Sequence, residues 1–183
     1  MTLRLVILLN LFASFVPIAA YSQDHDEAVR VLVGAAQQFA RYHELDPQQL
    51  FVDSARSGRG SVMQPTRERA RILPLAAIRS RVLEGGFNLT NPDEILACFA
   101  PGDSRRPRPA CAFPPKSAAV VVNPPSFEGD SATVLVIYYL RAPNLPNGES
   151  GNMRFAFYRT GASWHFRDAV IEGKASRYFP VDP

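Results

Sequence analysis

The segment Ala132–Arg141 (ATVLVIYYLR) constrains this chain more than any other. Its apolar side chains fall on both faces of a period-two pattern. Val134, Val136, Tyr138 and Leu140 share one face, and Leu135, Ile137 and Tyr139 the other. Gly129-Asp130 introduces the run, which reads as the longest strand. A strand that is apolar on both faces must be covered on both, so it belongs inside a sheet. Around it, Ala118–Val122 reads as a short strand ended by Pro124-Pro125. Met153–Arg159 and Ser163–Ile171 read as a hairpin across Thr160-Gly161-Ala162. Residues 142–152 (APNLPNGESGN) read as a long polar connection.

The N-terminal half has a different period. Val29, Leu32, Val33, Ala36, Phe39 and Ala40 follow the spacing of one buried helical stripe, with Arg30, Gln37, Arg41 and Glu44 on the wet face. Asp24 is the expected N-cap, with Glu27 as its capping-box partner, and Asp46-Pro47 ends the helix. Phe51–Asp53 is a candidate short strand, and residues 54–66 a loop. Pro74–Glu84 forms a second helix, opened by Pro74 and stopped by Gly85-Gly86. Helices first and an antiparallel meander afterwards predict an α+β domain, with the helices on one face of a curved sheet of about four strands.

The stretch from Phe127 to Glu172 resembles the C-terminal sheet of nuclear-transport-factor-2-like, cystatin-superfold domains. Gly129, Asp130, Ala132 and Val134 match the turn and strand of that pattern, and Gly161, Trp164, Phe166, Asp168 and Ala169 its closing hairpin. The likeness covers about a quarter of the chain and is a fold signature without a catalytic motif. It implies a pocket between sheet and helix, in a family where enzymes, binders and scaffolds coexist. Fold alone does not choose among them.

The first residues, MTLRLVILLNLFASFVPIAA, follow the grammar of an export signal: Arg4, an apolar run Leu5–Val16, then Pro17 and small residues. The run is too short and too interrupted for a spanning helix. The expected division is a signal peptide at 1–22, cleaved after Ala20 or Ser22, and a single domain at 23–183. The product would be secreted or periplasmic, without stable membrane insertion. Cysteine usage agrees. Cys98 and Cys111 enclose a Pro-, Gly- and Arg-rich segment that packs poorly by itself, and in an oxidising compartment a disulfide closing the 98–111 loop is the natural reading. Two unpaired buried thiols are the rival.

Only two of the 20 basic residues are lysines, Lys116 and Lys174, and the arginines are spread over the whole length at a net charge of +3. A nucleic-acid binder concentrates its basic residues on one element, so nucleic acid is set aside as a partner. Few residues suggest chemistry. Pairing Phe157 with Phe166 would put Asp168 on the apolar face with Trp164, where burial would raise its pKa and suit it to acid–base work. Tyr138 or Tyr139 should line the helix–sheet interior. Asp168, Tyr138 and Trp164 are therefore the candidate ligand-binding residues. No catalytic set, cofactor or metal centre is assigned. Cleavage after Ser22 would expose Gln23-Asp24-His25, a donor order that suits square-planar Cu(II), but Asp24 also serves there as the helix cap. The favoured reading is a non-enzymatic module that binds a small molecule or an envelope protein. The alternative is a small pocket enzyme with Asp168 as acid/base and Tyr138 as hydrogen-bond donor.

Overall fold

The computed structural model describes residues 17–59, 73–91, 93–95, 113–142 and 145–176. Cys98, Cys111 and the start of the expected signal segment lie outside them. Helix α1 spans Pro17–Tyr42, and α2 spans Leu75–Glu84. The strands are β1 (Leu50–Asp53), β2 (Asn88–Thr90), β3 (Ser117–Val122), β4 (Ser126–Glu128), β5 (Ser131–Ala142), β6 (Leu145–Thr160) and β7 (Ser163–Ser176). They form one mixed sheet of seven strands in the order β2-β1-β3-β5-β6-β7, with β4 following β3 along the same edge of β5.

The α+β class stands, and the count of about four strands is corrected to seven. Two of the additions, β2 and β4, have only three residues each. β2 lies in Asn88-Leu89-Thr90, three residues with no room to show a period. It pairs parallel to β1, which also pairs parallel to β3. The larger correction is 142–152. From Leu145 this polar segment is strand, because the second half of β5 needs a partner: Tyr138 faces Gly151, Tyr139 faces Ser150 and Leu140 faces Glu149. A ladder on each side overrides the weak strand propensity of Pro, Asn and Gly.

The expected stripe of α1 is buried from Val29 to Ala40, and Ala28, Val31 and Ala35 are buried with it. It packs on Val134, Val136, Tyr138, Met153, Phe155 and Phe157, the inward face of β5 and β6. Asp24 is not the cap. The helix runs through it from Pro17, since Pro suits a first turn and Ala19-Ala20 continue one readily. At its other end Glu44 takes a left-handed φ of 51°, and Leu45 N–H reaches back to Ala40 O at 2.9 Å. That closes the helix in a Schellman turn before Asp46-Pro47 is reached. The double-faced pattern of β5 also has its explanation. Its outer face is half-covered, and Tyr139 packs with Phe51, Phe113, Ala119 and Ile95 in a second, smaller cluster.

Candidate functional site

Where β5 and β6 pass the C-terminal turn of α1, four titratable side chains converge. Tyr138 is fully buried, its ring 5.3 Å from Phe39 and 5.6 Å from His43. Its hydroxyl donates to Glu149 Oε1 at 2.6 Å, and Lys174 Nζ lies 3.2 Å from the same oxygen. The approach depends on Gly151, which sits opposite Tyr138. A Cβ there would run into the Gly173 carbonyl oxygen and come within 2.8 Å of the Tyr138 hydroxyl. His43 completes the group, with its ring 4.5 Å from Phe39 and 5.0 Å from Tyr42. Its Nε2 is buried and has no hydrogen-bond partner among the described residues.

These groups perturb one another in definite directions. Burial, reinforced by the bond to Glu149, pushes the Tyr138 hydroxyl well above the usual tyrosine value. It is therefore a neutral hydrogen-bond donor near pH 7 and cannot serve there as a base. Burial alone would raise the Glu149 carboxyl. The hydrogen bonds from Tyr138 and Lys174 outweigh it and hold the group below its ordinary 4.5. Burial lowers His43 below 6.5, with Glu149 opposing and Lys174 adding to the shift.

A second polar contact lies at Glu27, where the buried stretch of α1 begins. Trp164 Nε1 donates to Glu27 Oε1 at 2.7 Å, and Arg159 Nη1 reaches the same oxygen at 3.2 Å. The Arg159 guanidinium lies 5.7 Å over the Trp164 ring and also binds Asp130. Trp164 is half-buried against Phe127, short of the full burial its face suggests.

Comparison with protein-family models, with curated proteins and with solved structures finds no match.

The sequence-predicted trio is not brought together. Trp164 and Tyr138 both face α1 but belong to opposite ends of its buried stretch. Asp168 is on the other side of the sheet. Phe157 does pair with Phe166, as expected, but a bulge follows, and Ala156 then faces Asp168 with Arg167 as the extra residue. One inserted residue exchanges the two faces. Asp168 is exposed, its carboxylate 3.8 Å from Arg167, and Ala169 and Ile171 take the inward positions instead. An acid/base Asp168 inside a helix–sheet pocket does not fit this geometry.

Two further polar features are structural. Asp53, fully buried at the end of β1, accepts from the N–H groups of Ala55 and Arg56 and pairs with the Arg56 side chain. It shapes the turn that carries Ser57, whose Oγ accepts from Val122 N–H. A shallow cleft of about 270 Å³ between α1 and α2 is lined by Arg30, Arg81 and Glu84 among others. Its charges are matched internally, because Arg30 and Arg81 both meet Asp26 and Arg81 also meets Glu84. No group of three or more metal-ligating side chains occurs among the described residues.

Proposed function

We propose that the protein is an exported, non-enzymatic binding module that receives an extended segment of an envelope protein along β7. The observation that carries this reading is the contrast between the two outer strands. Among the described residues β2, at one edge, has 3 residues, whereas β7, at the other, has 14 and pairs only with β6. Sheet edges present unused N–H and C=O groups, and strand addition is a general route to peptide recognition. Bulges divide β7 into the straight runs Ser163–Phe166, Asp168–Ile171 and Gly173–Ser176, each able to pair over four residues.

Side chains around that edge suit a contact surface. Phe166 and Val170 are exposed on opposite faces, and Tyr158 stacks on His165 at 5.3 Å. Arg167 and Lys174 are positive and Asp168 and Glu172 negative, which favours a partner strand of mixed charge. Export through the N-terminal signal and closure of the 98–111 loop by a Cys98–Cys111 disulfide belong to the same proposal. So does the likeness to nuclear-transport-factor-2-like sheets, which the α1 layer on β3, β5 and β6 supports. Among the described residues no helix is long and apolar enough to cross a membrane.

Site-specific photocrosslinking in the native cell tests the reading. A photoreactive residue at Phe166 or Val170 should trap one discrete partner, while the same group at exposed Leu83 on α2 should not. Equal trapping at all three positions, or none at the two on β7, would overturn it.

A further inference from the structure

We propose that His43 is a proton-operated latch: neutral, its imidazole closes the end of the α1–sheet interface over Tyr138; protonated, it forces that end open. The ring is wedged among Phe39, Tyr42 and Tyr138, and its buried Nε2 meets no hydrogen-bonding group among the described residues. A neutral imidazole can leave that nitrogen as a bare lone pair at small cost, by keeping its proton on Nδ1. An imidazolium cannot, since both nitrogens then carry N–H and a charge stands in an apolar setting. The local arrangement cannot absorb that proton without change.

The groups that face His43 come from four elements. Tyr138 on β5 is neutral, and its hydroxyl hydrogen is already donated in the bond to Glu149. Glu149 on β6 is the carboxylate that attracts an imidazolium, but it is engaged by Tyr138 and by Lys174 on β7. Lys174 repels an imidazolium. Tyr42 on α1 offers a ring edge-on to His43. Just beyond the turn, Lys116 Nζ holds the Glu44 carbonyl, which places a further positive charge at the helix end. The ordinary attraction of a helix C-terminus for a cation is thus already answered by Lys116. A proton on His43 must either take Glu149 away from Tyr138 or reach water. Either move lifts the last turn of α1, where the N–H groups of His43, Glu44 and Leu45 bond to Phe39, Arg41 and Ala40 and Lys116 holds the Glu44 carbonyl.

The latch lets go over the pH range in which the opened, solvated histidine binds a proton and the closed one does not, downward from about 6.5. It requires no ligand and is independent of the role assigned to β7.

Amide hydrogen exchange on the wild-type protein, corrected for intrinsic rates, tests it between pH 8 and pH 5. Protection at His43, Glu44 and Leu45 should be constant above the transition. Below it, protection should fall by up to about tenfold per pH unit, the limit set by one proton. Protection in the centre of β5 should not follow. His43→Gln should flatten the pH dependence at the three amides. Should that variant fail to fold, the imidazole itself is followed by NMR in the wild type, with a midpoint below 6.5 expected. A midpoint at or above 6.5, protection that does not change with pH, or the same slope in His43→Gln overturns the proposal.

Discussion

At Glu27 the helix accepts hydrogen bonds from the sheet; at His43 it lays a ring upon it. The two contacts are 16 residues apart on α1, about 24 Å at 1.5 Å per residue. Each joins an aromatic side chain of the sheet to a carboxylate, Trp164 to Glu27 and Tyr138 to Glu149. At the Glu27 end the surrounding groups are Arg159 and Asp130, at the rim of the sheet, and Arg159 keeps its charge throughout the working pH range. At the His43 end the carboxylate is mostly covered and a histidine faces it. The two clamps therefore differ in their neighbours, an arginine of fixed charge at one and a histidine at the other.

The sharpest way to break this comparison is to remove the aromatic anchors. Tyr138→Ala should cost about 3–5 kcal/mol in urea unfolding, as a large-to-small change in a filled core. Tyr138→Phe should cost about 1.5–2 kcal/mol, since it leaves Glu149 without its hydroxyl donor. A loss below 1 kcal/mol for Tyr138→Ala would mean that the ring is not in the core. Trp164→Ala comes next at about 2–3 kcal/mol, less than a fully buried aromatic because the indole is half-covered. An equal or larger loss than at Tyr138 would reverse the order of the two ends. Glu27→Gln should cost about 1 kcal/mol and diminish in salt, as expected of a rim contact. A salt-independent loss would show Glu27 to be shielded like Glu149.

The mildest test changes no residue. The folded state holds His43 below its ordinary 6.5, so the unfolded chain takes up that proton first and stability falls as pH drops below about 6.5. Glu149, held below 4.5, adds a second loss at lower pH as its carboxylate is protonated. Tyr138 acts at the alkaline side. Its raised value makes the unfolded chain ionise first, and stability falls as pH rises past about 10. Thermal unfolding in wild type and His43→Gln should differ in slope between pH 6.5 and 5 and converge above 7. Parallel curves would assign the acid loss to other groups.

The elements legible in the sequence are those whose signal is local. The α1 stripe, the α2 start and stop at Pro74 and Gly85, and the Phe157–Phe166 pairing all follow from spacing or turn chemistry. Gly161 takes a φ of 61° at the hairpin, at the position where a two-residue turn favours glycine. What escaped depends on partners distant in sequence. The parallel pairings of β1 are invisible to periodicity. The bulge at Arg167 leaves the residue pattern intact and still turns Asp168 outward. One of Tyr138 and Tyr139 was legible as an interior tyrosine, and a buried hydroxyl demands an acceptor. The acceptor, Glu149, lay in a stretch whose Pro, Asn and Gly content reads as a loop, and Lys174 lay past the expected end of the last strand. A cue did exist: Glu149, Gly151 and Met153 alternate in step with the strand that follows them.

Trp164 is the only tryptophan in the chain, and it marks the Glu27 end of the buried stretch of α1 alone. Its emission colour reports how wet the Glu27 end is and takes no notice of His43 about 24 Å away. An acid titration can therefore be followed in two channels at once. Steady emission with falling helical ellipticity means that α1 unzips from its C-terminal turn while the indole stays docked. A red shift in step with the ellipticity means that the helix leaves the sheet as one rigid rod.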